Sequence, residues 1–253
     1  MILDLQKASL LKRASAFLLD FILLLIVIVG FAAILSSILN YDHHSERLDE
    51  YYAQYEAEYG IEFDLSAEKY EGLSEEERKL YESAYNALIS DEDAMYTYNL
   101  LVNLTLVITS ISIFLAYLAL EFFVPLKLRN GQTIGKKVFG IGVMRTGSIK
   151  INAVSLFIRT VLGKYTIETM IPVLISILIF FGAMGVVGIA IMALLFIVQV
   201  CLLFGNGRRA VIHDLLADSV TVDLASQMIF DTEADLLAYK QKLHSEKAAR
   251  QSY

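Results

Sequence analysis

The stretch ASAFLLDFILLLIVIVGFAAILSSI, residues Ala14–Ile38, is apolar throughout except for small serines and one carboxylate, Asp20. As a helix it can cross the hydrocarbon core of a bilayer, which needs about 20 residues. The competing interpretation is a cleaved signal peptide, whose apolar region is about 7–15 residues long and precedes a site of small residues. This run is longer and continues into Leu39-Asn40-Tyr41, so we interpret it as a retained membrane anchor.

The composition of the whole chain supports the membrane class. Of its 253 residues, 56 % are hydrophobic, and the mean hydropathy is +0.55. These values are high for a soluble domain. Further apolar runs predict a second span at 96–124 and two more spans within 152–204, which is too long for one crossing. The alternative for 152–204 is a surface helix followed by one long span over 171–204.

Charges are segregated along the chain. Segment 41–95 has 17 Asp and Glu residues against four Lys and Arg, whereas 124–151 has six Lys and Arg and no acid. Lys and Arg in short loops favour the cytoplasmic side, and acids have little influence. We therefore expect the N-terminus, the 124–151 loop and the tail with Arg208 and Arg209 in the cytoplasm, and the acidic loop outside. An even number of crossings satisfies this, which favours four spans over three, although a re-entrant hairpin satisfies it equally.

Local patterns predict structure between the spans. Ser74 and Glu77 have capping-box spacing before apolar residues at helical intervals, which predicts a helix over 75–90. Segments 138–144 and 219–224 have the composition of short strands, and we expect them to meet in a small cytoplasmic cap. The tail predicts an amphipathic helix around 233–247.

The expected fold is an all-α integral membrane protein with about four transmembrane helices, a small cytoplasmic β element and an extracytoplasmic helical loop. The predicted segments are the N-terminus with the first span (1–40), the acidic loop (41–95), the second span (96–124), a basic Gly-rich loop (125–151), the hairpin of the third and fourth spans (152–204) and the cytoplasmic tail (205–253).

Sequence motifs do not support an enzyme. Three residues separate Gly131 from Gly135, whereas a P-loop has four between its glycines and a Ser or Thr after its Lys. We interpret this segment as a turn in which Lys136 and Lys137 face anionic lipid headgroups. His213-Asp214 has no accompanying nucleophile motif, and His43-His44 has no second ligand cluster at metal-site spacing. We expect no catalysis, cofactor, metal or nucleic-acid partner.

Three segments stand out when they are considered together. They are Arg13-Ala14 followed by Asp20, then Gly131-Gln-Thr-Ile-Gly135-Lys136-Lys137-Val-Phe-Gly140-Ile-Gly-Val143, and finally Arg208-Arg209-Ala-Val-Ile-His213-Asp214-Leu-Leu-Ala-Asp218-Ser219. In this order they resemble the RDD family of bacterial membrane proteins, which is named for an Arg and two Asp residues.

The resemblance covers about 1–40 and 97–224. Arg13 and Asp20 match the first two family positions, and Asp214 matches the third. Where the family's last motif usually has Gly-Thr, this chain has Asp218-Ser219. The resemblance implies a location in the bacterial cell membrane and a shared fold. A few members have been linked to cation/proton exchange, so transport is implied by the resemblance alone.

Asp20 lies about seven residues into the first span, roughly 10 Å deep. An ionisable group at such depth is costly and marks a functional site with a partner. Arg159 is the better predicted partner, because Arg13 extends more easily toward the surface. Asp214 is expected to cap a turn or to accept hydrogen bonds from Arg208 or the 131–137 loop. The predicted buried polar cluster comprises Arg13, Asp20, Glu121, Arg159 and Asp214, with Asn103 or Lys164 as further candidates.

This cluster has two interpretations. It can carry a small cation, a proton or a solute, or it can serve only to hold helices in register. The second interpretation leaves an accessory or scaffold role, in which the acidic loop or the tail binds a protein partner. Protection against an external toxin or stress through the 41–95 loop is a third hypothesis. Transport predicts a water-accessible cavity that reaches Asp20, whereas scaffolding predicts a packed bundle and an apolar patch on the loop helix.

Overall fold

The computed structural model describes residues 5–205 and 207–251, and most of them are helical. These residues form two compact units, one built from the residues up to 28 together with those from 113 onward, and the second from 29–112. The helices are α1 (Leu10–Ile38), α2 (Tyr41–Tyr59), α3 (Ala67–Glu71), α4 (Glu75–Ser90), α5 (Glu92–Tyr117), α6 (Val124–Lys127), α7 (Ile134–Val138), α8 (Ala153–Phe157), α9 (Ile171–Phe180), α10 (Gly185–Gly205), α11 (Ile212–Leu216) and α12 (Glu233–Gln251). The remaining elements are π-helical segments at Leu118–Phe123 and Ile158–Met170, a 3₁₀ turn at Arg129–Gly131, and strands β1 (Ile141–Arg145) and β2 (Ser219–Asp223).

Four helical stretches within the described residues are long and apolar enough to cross a membrane. Their surfaces are apolar as well, since Phe17, Ile26 and Phe196 are 67, 62 and 70 % exposed. A helix that is apolar on all sides is typical of a membrane span. The described residues therefore contain four candidate spans, the number that the sequence predicts. They are Leu10–Ile38, Glu92–Lys127, Ala153–Phe180 and Gly185–Gly205.

A glycine-rich turn separates the third span from the fourth. Gly182 has φ +73°, a left-handed conformation that favours glycine. Gly188 lies so close to the preceding helix that an added Cβ would be 2.6 Å from Cγ1 of Ile179. The chain thus reverses within 181–184, and the alternative of one long span over 171–204 is wrong.

The two predicted strands pair with each other. β1 and β2 run antiparallel, with Ile141 opposite Asp223 and Arg145 opposite Ser219. The segment before α1 joins the other edge of β2 through a bridge between Lys7 and Val222. β1 begins at Ile141 rather than at 138, because residues 134–138 form helix α7. The sheet ties the N-terminal segment, the Gly-rich loop and the tail together beside the first helix.

The second and third spans each contain a π-helical segment, in which the hydrogen-bonded turn is one residue longer than in an α-helix. Such segments are rare and frequently occur at functional sites. The two segments are joined where the Thr160 hydroxyl donates to the carbonyl oxygen of Glu121 at 2.8 Å. Glu121 lies in the first segment, and Arg159, Lys164 and Glu168 lie in the second. The irregular turns therefore hold Glu121 of the second span and all three charged residues of the third.

The unit of residues 29–112 contains the acidic loop, and its helix α4 confirms the predicted capping box. The Ser74 hydroxyl accepts from the Glu77 amide at 3.3 Å, and the Glu77 carboxylate accepts from the Ser74 amide at 2.8 Å. Aromatic rings pack beside this helix, with the Phe63 and Tyr81 centroids 5.7 Å apart. Helix α2 was not predicted, because its polar sequence has no clear apolar periodicity.

Candidate functional site

Arg159 and Asp214 form the most deeply buried ion pair among the described residues. Nε and Nη2 of Arg159 donate to Oδ1 of Asp214 at 3.1 and 2.7 Å. Arg13 approaches the other carboxylate oxygen at 3.4 Å and donates to the Arg209 carbonyl at 2.5 Å. Asp214 is fully buried and Arg159 is 3 % exposed. Two of the three family positions, Arg13 and Asp214, are thus in contact through one carboxylate.

Three separate parts of the chain supply this triad. Arg13 lies in the first turns of α1, Arg159 in the π-helical segment of the third span, and Asp214 in α11 after the fourth span. Burial tends to raise the pKa of Asp214, but Arg159, His213 and Arg13 outweigh it and hold that pKa below its usual range. The carboxylate therefore stays ionised and neutralises the buried guanidinium.

Asp20 binds the Gly-rich loop. Its Oδ2 accepts from the Thr133 hydroxyl at 2.5 Å, and its Oδ1 accepts from the Gly135 amide at 2.7 Å. Thr133 is also the N-cap of α7, where its hydroxyl accepts from the Lys136 amide. A Cβ on Gly135 would collide with the Ala16 carbonyl oxygen and would lie 2.9 Å from the Asp20 carboxylate. Glycine is required here because the loop backbone lies directly against α1.

The predicted pairing of Asp20 with Arg159 is therefore wrong. Arg159 is bound by Asp214, and Asp20 is satisfied by Thr133 and Gly135. The prediction compared depths of residues within separate spans. It could not include two chain segments, the Gly-rich loop and α11, that fold back against the span ends and supply closer partners. Asn103 is exposed on α5 in the other unit.

A second buried group surrounds Glu121. Its Oε2 lies 2.6 Å from Nζ of Lys164, which confirms Lys164 as a partner within the predicted cluster. Lys136 is 7 % exposed, and its Nζ donates to the Thr133 hydroxyl at 3.2 Å. This corrects the prediction that Lys136 faces lipid headgroups, because its ammonium is buried against Thr133. Lys137 is exposed, and headgroup contact stays a prediction for it.

Burial, followed by the neighbouring charge of Lys164, lowers the pKa of Lys136 to about 7. Glu121 and Asp20 act in the opposite direction. Lys136 is thus a buried amine that can gain or lose a proton near neutral pH. Its amine contacts Thr133, which also binds Asp20, and it interacts electrostatically with Glu121 and Lys164.

Sequence reasoning missed the pair between His213 and Glu168. Nδ1 of His213 lies 2.7 Å from Oε2 of Glu168, and the His213 amide donates to Oε1 at 3.2 Å. Burial, and then the charge of Arg159, lowers the pKa of His213. An added Cβ on Gly163 would be 2.5 Å from Cβ of His213, so α11 packs tightly on the third span. The available signal was Glu168 itself, a charge within an apolar run.

We call these nine residues the polar network. They are Arg13, Asp20, Glu121, Lys136, Arg159, Lys164, Glu168, His213 and Asp214. Chemically the network offers four carboxylates, two guanidinium groups, two amines and one imidazole. Within the described residues, no group of three or more His, Cys, Asp or Glu side chains is close enough together to hold a metal ion.

The family's Gly-Thr motif corresponds here to Asp218 and Ser219. Asp218 has φ +45°, a conformation that favours glycine and that Asp tolerates better than most residues. The Ser219 hydroxyl lies 3.4 Å from Oδ1 of Asp214. Asp218 and Ser219 thus combine a left-handed backbone turn with a hydroxyl beside the buried carboxylate.

Comparison with known proteins gives a family match. The model of the RDD family matches residues 7–218, a range that contains Arg13, Asp20 and Asp214. No curated protein and no solved structure matches the chain. Because the family model covers most of the chain, including all three of these positions, the protein belongs to the RDD family.

Proposed function

We propose that this protein spans the bacterial cell membrane and carries a small cation or a proton across it through the polar network. The observation that carries the proposal is the burial of two ionisable groups, each 7 % exposed: Glu121 near the end of the second span, and Lys136 in the loop that follows it. Ionisable groups within a membrane are costly and, by default, indicate ion or proton pathways.

The chemistry of the network suits exchange between a proton and a cation. Lys164 neutralises Glu121 at 2.6 Å, and Lys136 lies within the same buried group. A metal cation that bound beside Glu121 would add one positive charge to this buried group, so the group must lose one positive charge elsewhere. Deprotonation of Lys136, whose pKa is about 7, supplies that loss. Binding of the cation and release of the proton would thus be coupled through charge balance.

The charge distribution supports the orientation. The 124–151 loop has six basic residues and no acid, and the N-terminal segment and the tail also contain Lys and Arg near span ends. We place both termini in the cytoplasm and the acidic 41–95 segment outside. Replacing Cys201 by Ser and introducing Ser83→Cys or Ser245→Cys tests this, because a membrane-impermeant maleimide should label only the first in intact cells.

Flux through reconstituted vesicles tests transport. The full-length protein is placed in liposomes that contain a pH-sensitive dye, and a cation gradient is imposed. We expect Na⁺ or K⁺ to drive proton movement with the wild type, and Asp20→Asn and Glu121→Gln to abolish it. Asp218→Asn is the matched control, because this carboxylate is 59 % exposed. Unchanged flux in both network variants, with each monodisperse in detergent, would overturn the proposal.

A second candidate is an accessory or scaffold role, and two observations favour it. Gly135 packs closely against α1, and Gly163 packs closely against α11, so the network is held in one arrangement. Helix α4 also exposes Tyr85 and Ile89, which are 50 and 41 % exposed and lie four residues apart on one face. Exposed apolar side chains on one helix face suit a protein partner. In this case Tyr85→Glu with Ile89→Glu would remove a partner recovered by crosslinking, while Asp20→Asn would not.

A further inference from the structure

A small cavity lies where the second span ends and the third begins. Its volume is about 200 Å³, and its lining includes Pro125, Lys127, Lys150, Ile151 and Leu156. This is smaller than the roughly 300–1,000 Å³ of pockets that enclose a drug-sized ligand. The space suits a compact polar group, with the remainder of its ligand outside.

The cavity has an apolar floor and a basic rim. Pro125, Ile151 and Leu156 are buried, whereas Lys127 and Lys150 are exposed. Gly131, at φ +58°, closes one side so tightly that an added Cβ would be 2.7 Å from Cγ2 of Ile151. The backbone rather than a mobile side chain therefore shapes this wall, which favours a preformed site.

Charge around the cavity selects an anion. The whole 124–151 loop has no acid. Within the described residues, Lys127 makes no ion pair, and Lys150 has one partner, Asp231, at 3.5 Å. Asp231 is 82 % exposed, so an incoming anion can displace it at little cost.

The surface beside the cavity is apolar. Leu126, Val154 and Phe157 are 44, 67 and 44 % exposed, and Phe123 is 53 % exposed on the same span end. These residues belong to the second and third spans, where a lipid chain would run along them. A basic pocket between spans on the cytoplasmic side is the kind of site that holds lipid headgroups.

We propose that this cavity binds the phosphate headgroup of an anionic phospholipid, with Lys127 and Lys150 as its cationic contacts and an acyl chain against Phe123, Leu126 and Phe157. The site rests on the membrane insertion proposed above and is independent of transport. It is separate from the polar network, whose residues do not line the cavity. It also differs from the headgroup contact predicted from sequence, which placed the two lysines at 136 and 137.

Lipid binding to the purified full-length protein tests the site. Native mass spectrometry counts the phosphatidylglycerol molecules that remain bound, and thermal shifts on adding phosphatidylglycerol or phosphatidylcholine give the apparent affinity. We expect selective binding of phosphatidylglycerol. Lys127→Gln and Lys150→Gln should each lower the affinity about fivefold, because each removes the roughly 1 kcal/mol that one basic residue contributes at an anionic surface. Asp231→Asn should strengthen binding, because it frees Lys150.

Lys137→Gln is the matched control, since it removes the same charge from an exposed position in the same loop. An equal loss with Lys137→Gln would mean diffuse surface attraction and would overturn the pocket. If inorganic phosphate stabilised the protein as much as phosphatidylglycerol does, the ligand would be free phosphate rather than a lipid headgroup. If a variant with both Lys127→Gln and Lys150→Gln reconstitutes in bilayer discs and binds phosphatidylglycerol as the wild type does, this site alone fails. If the wild type does not enter bilayers, membrane insertion fails and the site fails with it.

Discussion

The two units of the molecule contain many ionisable residues but place them in opposite environments. In the 41–95 segment every Asp and Glu is exposed except Glu56 and Asp91, which are half-buried. In the other unit Glu121, Lys136, Arg159 and Asp214 are all at most 7 % exposed. An exposed charge is stabilised by water, whereas a buried charge depends on a nearby partner of opposite sign.

This difference in environment predicts which charge substitutions should destabilise the fold. Charges of the acidic segment can change with little effect on folding, because solvent replaces each lost contact. Charges of the polar network are mutually dependent, so removing one leaves another buried without compensation. A network variant that leaves stability unchanged would contradict this difference. Matched pairs of variants at buried and exposed positions measure it.

The largest effect is expected for Asp214→Asn. This substitution leaves Arg159 buried and without a carboxylate, which costs about 3–5 kcal/mol. Chemical denaturation in detergent micelles measures the free energy of unfolding. Asp218→Asn, four residues away and 59 % exposed, should cost less than about 1 kcal/mol. Equal losses for the two variants would show that Asp214 is solvated as Asp218 is.

Lys136 should make stability depend on pH. Its folded-state pKa is about 7, below its ordinary value of 10.5, so between these values the unfolded chain binds more protons than the folded one. The free energy of unfolding should therefore rise with pH from about 7 to about 10, by at most about 1.4 kcal/mol per pH unit. Lys136→Met should remove this rise and Lys137→Met should keep it. Parallel pH profiles for the wild type and Lys136→Met would contradict the burial of the amine.

Gly163→Ala tests the contact between α11 and the third span. The new Cβ would lie 2.5 Å from Cβ of His213 and 2.7 Å from its Cα, so α11 must move. We expect a loss of about 1–3 kcal/mol, as for other overpacked sites. Gly30→Ala is the control, because a Cβ there meets nothing within 4 Å and alanine favours a helix. If Gly163→Ala left the free energy of unfolding unchanged and kept the His213–Glu168 contact, the close packing would be disproved.

The smallest effect is expected in the acidic segment. Ser74→Ala removes the cap of α4 and should cost about 1 kcal/mol. Hydrogen exchange of the α4 amides should become faster at its first turn. Ser83→Ala, in the exposed middle of the same helix, should leave exchange unchanged or slower because alanine is the better helix former. If both serines behave alike, the cap does not stabilise the helix.

Local and compositional features of the fold were predictable. The spans follow from the length of apolar runs, and α4 follows from Ser74, Glu77 and helical periodicity, because these signals lie within one element. The meeting of the two strands was predicted from their composition and from the cytoplasmic location expected for both segments, whereas their antiparallel direction was not predicted. Helix α2 was missed because its residues are polar on most sides.

The contacts of the polar network were only partly predictable. Charges within apolar runs identified Asp20, Glu121 and Arg159 as members, because burial of such groups needs compensation. Their partners were not predictable in the same way. Asp20 binds Thr133, which is 113 residues away, and Arg159 binds Asp214, which is 55 residues away. Those choices depend on how the loop and α11 fold back against the spans, and depth along a helix does not contain that information.

A double-mutant cycle on Arg159 and Asp214 tests whether the buried charges depend on one another more strongly than exposed charges do. Their closest atoms are 2.7 Å apart with side chains 3 and 0 % exposed, whereas Lys12 and Asp223 are 2.6 Å apart with 42 and 21 % exposed. With Arg159→Met, Asp214→Asn and both together, we expect a coupling energy of about 2–3 kcal/mol, because the double variant no longer buries an unpaired charge. The corresponding cycle with Lys12→Met and Asp223→Asn should give about 0.2–1 kcal/mol. Equal, small coupling energies for the two pairs would contradict a buried, mutually compensated polar network.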